Sequence, residues 1–225
     1  MIVIDAAALG ARTHLEVKAI QDEQQKSRRE QGDAIAASKR WRQEDEARDI
    51  FRWISAADYR TLQSDFFQRP QDGAGQWLLD SVEYKNWCGN EGAVLYYHGM
   101  PGAGKTIMTS VVIHDLHSEC GNDPGTGIAY LYCNFRRQDE QNATNMQASM
   151  LKQLVAGRPQ MPSGVIRLYE KHYVKQTRPS LGEIVSELQS VVDSYPRSFI
   201  VVDALDECPI SEGGRQVFVS ELLNL

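Results

Sequence analysis

One stretch determines the architecture expected for this chain: Val94-Leu-Tyr-Tyr-His-Gly-Met-Pro-Gly-Ala-Gly-Lys-Thr-Ile107. An apolar run over Ala93–Tyr97 predicts a short buried strand, and apolar residues at helical spacing after Lys105 predict a helix. Between them, Gly99 to Thr106 match the pattern G-x-x-x-x-G-K-[ST] at every fixed position. A strand, a glycine-rich loop and a helix form the context in which this pattern cradles phosphate groups.

The residue types of this loop suit a polyphosphate. Glycines let the backbone approach closely, so that loop N–H groups and the helix N-terminus can surround an anion. Lys105 can reach the outer phosphates, and the Thr106 hydroxyl can bind Mg²⁺. The predicted phosphate-binding residues are Gly99, Met100, Pro101, Gly102, Ala103, Gly104, Lys105 and Thr106. The alternative is a glycine-rich turn that happens to contain Lys-Thr.

A second motif lies about a hundred residues downstream. The β-branched, apolar run Phe199–Val202 predicts a buried strand that ends at Asp203. An acid at such a strand end can hold the Mg²⁺ of a nucleotide, so we predict Thr106 and Asp203 as metal ligands. Asp206 and Glu207 follow, and we predict that they position the attacking water. Read alone, an apolar run followed by Asp is often only the end of a strand.

These residues resemble a known family. Gly-Met-Pro-Gly-Ala-Gly-Lys-Thr and Val-Val-Asp-Ala-Leu-Asp-Glu-Cys look like the NACHT domains of the STAND class of P-loop NTPases. They most resemble the nephrocystin-like N-terminal version found in fungal NLR-like and ankyrin-repeat proteins. The upstream run from Arg69 through Gly73-Ala-Gly-Gln-Trp77 to Trp87 resembles the lead-in of that family, with Ala74 where Thr is usual. The resemblance covers roughly residue 50 to the end.

The resemblance implies an α/β fold, the three-layer αβα architecture of P-loop NTPases. Its sheet would hold five parallel strands in the order 5-1-4-3-2. The sequence supplies about three of them: Ala93–Tyr97, Ile128–Cys133 and Phe199–Val202. The fourth strand would come after Leu225, so we expect a fragment, a truncated gene model or a degenerate paralogue, with marginal stability. The resemblance also implies that the lead-in segment borders the base and ribose, whereas physical reasoning favours a place in the core for its aromatics.

The composition divides the chain into two parts. Residues 1–60 carry eleven basic and eleven acidic residues and are rich in helix formers. We predict a charged helical segment or linker there, and a truncated NACHT-type nucleotide-binding domain over 61–225. Within the latter, Thr144-Asn-Met-Gln147 and Ser180-Leu-Gly-Glu183 both fit a helix-capping box. Arg136 and Arg137 follow the second strand, where they would either sense phosphate or form a solvated charge cluster.

The overall composition excludes several classes of protein. The net charge of −6 argues against nucleic-acid binding, which needs a basic face. No apolar run is long enough for a membrane helix, and the N-terminus lacks a signal-peptide pattern. The spacing of the histidines along the chain does not indicate a metal site. The four cysteines fit neither a zinc site nor a disulfide framework, so we expect free thiols and a cytoplasmic location. These are Cys88, Cys120, Cys133 and Cys208.

Three functions remain open from the sequence. The first is a NACHT-type switch that binds ATP, or less readily GTP, with Mg²⁺, hydrolyses it slowly, and contacts protein partners or itself. The second is a regulatory fragment of an NLR-like receptor that binds nucleotide without turnover. The third is a small-molecule kinase, which the Asp206-Glu207 pair and the lack of an Arg-rich lid disfavour. Whether the chain is an enzyme is not decided by these residues.

Overall fold

The computed structural model describes residues 44–69, 73–121, 123–137, 141–208 and 214–225 of the 225-residue chain. The chain divides into two compact units, residues 1–49 and 50–225. In the first unit, residues 44–49 are helical, and Arg48 Nη2 pairs with Asp45 Oδ1 at 2.7 Å. Residues 1–43 of the predicted N-terminal helical segment lie outside the described residues.

The described part of the second unit is mostly helical and contains two strands. Residues 50–54 are helical (α1). The elements that follow are α2 (Tyr59–Phe67), α3 (Gln76–Leu79), α4 (Val82–Gly89), α5 (Lys105–Cys120), β1 (Thr126–Tyr132), α6 (Ala143–Ala156), α7 (Ser163–Tyr173), α8 (Leu181–Asp193), β2 (Arg197–Asp203) and α9 (Gly214–Leu223). Within the described ranges, no helix combines the length and apolar character required to cross a membrane.

The sheet consists of β1 and β2, which run parallel. Their register extends from Thr126 opposite Arg197 to Tyr132 opposite Asp203. Both strands were predicted from their apolar, β-branched runs, and each is longer than the run that indicated it. The α/β class is therefore confirmed, and the carboxyl ends of the two strands lie at the same edge of the sheet.

Two glutamine side chains cover the outer edge of β1. Gln153 Oε1 accepts a hydrogen bond from Tyr130 N at 3.1 Å, and its Nε2 donates to Tyr130 O at 2.8 Å. Gln141 Nε2 donates to Tyr132 O at 3.2 Å, and its Oε1 accepts from Asn134 N at 2.9 Å. Because alternate residues of a strand direct their polar groups to the same edge, these amides replace a neighbouring strand.

The prediction of a strand at Ala93–Tyr97 is wrong, because these residues adopt no regular structure. Their burial still alternates: Val94 is 77% and Tyr96 82% exposed, whereas Leu95 packs against a buried cluster. A strand also needs a neighbour to take its backbone hydrogen bonds. Within the described residues, β1 and β2 pair only with each other, so the sheet has two strands rather than about three.

Two buried apolar clusters hold the unit together. The larger one includes Ile50 and Ile54 of α1 with residues of β1, α6, α7 and α8. The smaller one joins α3, α4 and α5 to β2 through Leu78, Tyr84, Val112, Leu116 and Phe199. Gly75 precedes α3 at φ 86°, and a Cβ there would lie 3.0 Å from Val111 Cγ1 of α5. Position 75 thus requires glycine, both because of the positive φ angle and because a Cβ would come too close to Val111.

The helix starts test the predicted caps. Ser180 and Glu183 form the predicted capping box of α8, with both reciprocal hydrogen bonds present. For α6 the predicted box at Thr144 is wrong, because Asn142 is the N-cap and its side chain accepts a hydrogen bond from Asn145 N. Asn is at least as good an N-cap as Thr, so the helix begins at the earlier residue.

Candidate functional site

The glycine-rich loop leads directly into α5. Gly102 has φ 82° and Gly104 φ 79°, conformations that side-chain-bearing residues rarely adopt, and Gly104 is the N-cap of α5. Ala103 N donates to Met100 O at 3.1 Å, which closes a turn within the loop. The first backbone N–H groups of a 16-residue helix therefore follow the loop, and such groups attract anions.

Lys105 is the first residue of α5. Its Nζ donates to Gly99 O at 2.8 Å and to Met100 O at 3.1 Å. An ammonium group has three donors, so these two carbonyls leave one for another acceptor. Within the described part of the chain, no carboxylate forms an ion pair with Lys105. The loop thus holds a positive charge that its described neighbours do not neutralise.

Asp203 ends β2 beside this helix. It is 7% exposed, and its Oδ1 accepts a hydrogen bond of 3.1 Å from Thr109 Oγ1. Thr109 Oγ1 also lies 3.1 Å from Lys105 O, so its single proton is shared between two acceptors. Burial, together with the nearby Asp203 carboxylate, raises the pKa of the Tyr132 phenol on β1. The carboxylate therefore lies one helical turn beyond Lys105, at the same edge of the sheet.

The predicted metal ligands come from two elements, Thr106 from the first turn of α5 and Asp203 from the end of β2, and no hydrogen bond joins them among the described residues. Thr106 is half-buried, and within the described residues Thr109, rather than Thr106, donates to Asp203. The described residues contain no group of three His, Cys, Asp or Glu side chains that would hold a metal by themselves. A hydroxyl and a carboxylate suit Mg²⁺ bound to a nucleotide, since Mg²⁺ takes few protein ligands and fills its shell with phosphates and waters.

The two predicted catalytic acids lie in a 3-10 turn, Leu205–Glu207, directly after β2. Glu207 Oε2 accepts a hydrogen bond of 3.2 Å from Phe135 N, beyond the end of β1. Asp206 is exposed, and its backbone O accepts from Arg215 Nη2 at 2.6 Å. The structure thus ties Glu207 to the neighbouring strand end and leaves the Asp206 side chain at the surface.

The cysteine prediction needs correction. Cys133 and Cys208 form a disulfide, with Cα atoms 5.7 Å apart across a sequence separation of 75 residues. Cys88 and Cys120 are free, as expected. Spacing along the chain did not indicate this pair, because the two residues meet only after β1 and β2 have paired.

The aromatic residues near the loop are partly exposed. Trp77 is 60% exposed, and its ring centroid lies 6.1 Å from that of Tyr97. Trp87 instead packs on Phe199 in the smaller cluster, at 5.2 Å. Trp87 therefore belongs to the core, as one of the two interpretations of the lead-in aromatics expects. Trp77 instead lies at the surface. Of the arginines after β1, Arg136 lies over the Phe135 ring, 5.5 Å from its centroid.

Sequence reasoning missed two residues of this site. Thr109 holds Asp203, and its position four residues after Lys105 on a predicted helix places it on the same face. That spacing was a usable signal. Arg215 donates to the backbone carbonyls of Asp206 and Cys208, at 2.6 and 2.8 Å. No sequence motif indicates Arg215, because it donates to backbone carbonyls, which every residue type carries.

Comparisons with known proteins identify a family and a relative that this chain resembles. The family described as "Nephrocystin 3, N-terminal" matches residues 73–225. The vegetative incompatibility protein HET-E-1 of Podospora anserina is 27% identical over 137 residues, which cover 59% of this chain and 10% of that protein. The chain therefore spans about a tenth of the length of this relative. No solved structure matches the chain. The resemblance inferred from the motifs is confirmed for the family.

Proposed function

Because this chain belongs to the nephrocystin 3 N-terminal family, whose members include NACHT-related, NLR-like proteins, we propose that it is a nucleotide-binding switch module. Its ligand is ATP, with GTP as the second choice, together with Mg²⁺. One observation carries the proposal. Thr109 joins the Asp203 carboxylate to α5, the helix whose first residue is Lys105. Thr109, which contacts the buried Asp203 carboxylate, therefore lies one helical turn after Lys105, which no described carboxylate neutralises.

Each residue of the site has a proposed task. The loop N–H groups and Lys105 bind the β- and γ-phosphates. Thr106 and Asp203 hold Mg²⁺, which neutralises phosphate charge when it is bound. Asp206 orients water at the surface of the site, and Glu207, whose Oε2 accepts from Phe135 N, shares that task through its other oxygen. Turnover is slow, and exchange of nucleotide changes contacts with protein partners or with a second copy of the chain.

Substitution of Asp203 by Asn tests the metal site. Asn keeps an oxygen that accepts the Thr109 hydrogen bond but removes the negative charge, so the fold is retained. We expect Asp203→Asn to weaken Mg²⁺-dependent binding of a fluorescent ATP analogue at least about tenfold, since hydrogen bonds and contacts to charged groups contribute about 1.5–3 kcal/mol. Binding in EDTA should be unchanged. Equal Mg²⁺-dependent affinity in wild type and variant would remove Asp203 from the site.

A second candidate is a binding module without hydrolysis. It is favoured by Glu207, because its hydrogen bond from Phe135 N holds this carboxylate against the end of β1. Phosphate release under saturating ATP separates the two functions. Release above that of a Lys105→Ala control, and lower release in Asp206→Asn, would support the hydrolytic switch. Nucleotide binding with no release above that control would support the binding module.

A further inference from the structure

We propose that Cys133 and Cys208 are a redox-reversible modification site, whose oxidised form clamps the turn that carries Asp206 and Glu207. Cys133 is the first residue after β1, and Cys208 is the first residue after the Leu205–Glu207 turn. The parallel pairing of β1 with β2 brings both connections to the same edge of the sheet. The proposal concerns this cysteine pair itself and does not require that nucleotide binds.

The backbone places the pair within disulfide range. The Cα–Cα distance of 5.7 Å lies inside the span of about 4.4–6.8 Å that disulfides adopt. Cys133 N donates to Asp203 O at 3.1 Å, so the sheet pairing continues one residue past β1 and fixes Cys133. Strand pairing positions Cys133, and the Leu205–Glu207 turn brings Cys208 to it. Oxidation thus needs no large movement of the chain.

Polar contacts also hold the same turn. Glu207 Oε2 accepts from Phe135 N at 3.2 Å, and Arg215 Nη2 donates to Asp206 O at 2.6 Å and to Cys208 O at 2.8 Å. These contacts lie at part-exposed or exposed positions, where each contributes only modestly to stability. The disulfide is the one covalent link between the two strand-end connections in the described residues. Its reduction should therefore release the turn more than the loss of any one of these hydrogen bonds.

The chemistry needs an oxidant, and a hydroperoxide supplies the simplest balance. The Cys133 thiolate or the Cys208 thiolate attacks the peroxide, which gives a sulfenic acid and releases water or an alcohol. The second thiol then displaces water from the sulfenic acid and forms the S–S bond. Two thiols lose two protons and two electrons in total, and the O–O bond accepts them. A dithiol reductant reverses the reaction by thiol–disulfide exchange.

Burial makes this pair chemically distinct from the other thiols. Cys133 is 7% and Cys208 2% exposed, whereas Cys88 and Cys120 are partly exposed. Bulky alkylating reagents should therefore label Cys88 and Cys120 first in the folded protein, and only small oxidants or opening of the turn should reach the pair. If the proposed function holds, the redox state also sets how firmly the candidate catalytic acids are held.

The test uses the full chain with Cys88→Ser and Cys120→Ser, which leaves the proposed pair intact. Hydrogen peroxide treatment, quenching, and alkylation under denaturing conditions should remove both labelled thiols, and dithiothreitol should restore them. Peptide mapping should join the peptides of Cys133 and Cys208. Hydrogen exchange of the 204–208 amides should be at least about tenfold slower in the oxidised form than in the reduced form.

Two results would overturn the proposal. One is that both thiols remain alkylatable after peroxide, or that the mapped product is an intermolecular bond or an overoxidised cysteine. The other is equal exchange of the 204–208 amides in both redox forms. The reverse variant, Cys133→Ser with Cys208→Ser, serves as the control, because peroxide should then leave exchange in this turn unchanged. Since no nucleotide is added, failure here is separate from failure of the nucleotide site.

Discussion

Thr109 Oγ1 donates to Asp203 Oδ1 at 3.1 Å, and this contact joins the end of β2 to α5. The same hydroxyl lies 3.1 Å from Lys105 O. The proton of the Thr109 hydroxyl is thus shared between the Asp203 carboxylate at the end of β2 and the backbone carbonyl of Lys105. Asp203 is buried, so loss of this donor would leave part of a carboxylate without compensation.

Replacement of Thr109 by Val should destabilise the protein. Val keeps the β-branched shape but lacks the hydroxyl, and loss of a buried partner of a charged group costs about 1–3 kcal/mol. Thr109→Ser is the matched control, since it keeps the hydroxyl and should recover most of the loss. Urea unfolding of the full chain measures both. Equal midpoints for the Val variant and wild type would show that the contact contributes nothing.

Replacement of Gln153 by Met should open the edge of β1. Both backbone groups of Tyr130 would lose their side-chain partners, at a cost of about 1–3 kcal/mol, and the free edge would favour association. Chemical denaturation measures the loss of stability, and light scattering measures the association. The control is Gln68→Met, because among the described residues the Gln68 side chain bonds only to the exposed Ser64 hydroxyl. Similar stability and scattering in the two variants would contradict the proposed edge protection.

Glu183 should make stability depend on acid pH. The Lys171 ammonium, then the Ser180 backbone and hydroxyl groups, and the His172 ring, lower the pKa of this carboxyl from its ordinary value of 4.5. A lowered pKa in the folded state gives stability that is present above pH 4.5 and is lost as the pH falls toward the folded pKa. We therefore expect wild type to melt above Glu183→Gln at neutral pH.

The difference between the two melting temperatures should shrink as the pH falls below about 4.5. Thermal melts across this range check the trend. Glu170→Gln changes an exposed acid on α7 and should leave the melting temperature nearly unaltered at each pH. If the wild type and Glu183→Gln differ by the same amount at neutral and acid pH, ionisation of Glu183 does not stabilise the cap.

The sequence predicted those features that depend on local pattern. The apolar runs that became β1 and β2, the capping box at Ser180, and the position of Asp203 at the end of a strand all follow from neighbouring residues. The candidate site could be proposed for the same reason, because its glycine-rich loop is a continuous motif. The glycines of that motif do adopt the positive φ angles for which glycine is needed, at Gly102 and Gly104.

The remaining features depend on contacts that the local pattern does not specify. Ala93–Tyr97 has the apolar alternation of a strand but no strand beside it in the described residues, so the local preference is not realised. Cys133 and Cys208 meet across 75 residues, and Arg215 reaches back to Cys208 O from α9. At α6 two neighbouring candidates compete for the cap, and Asn142 prevails over Thr144.

Titration of the full chain with a fluorescent ATP analogue and Mg²⁺ tests the central claim most directly. Lys105 carries the loop charge, so Lys105→Ala should weaken binding at least about tenfold, whereas Lys85→Ala should not. Lys85 is a suitable control because it is an exposed lysine on α4, and its Nζ lies 3.8 Å from Asp80 Oδ1. The account predicts one bound nucleotide per wild-type chain. Equal affinity in Lys105→Ala and wild type would contradict it.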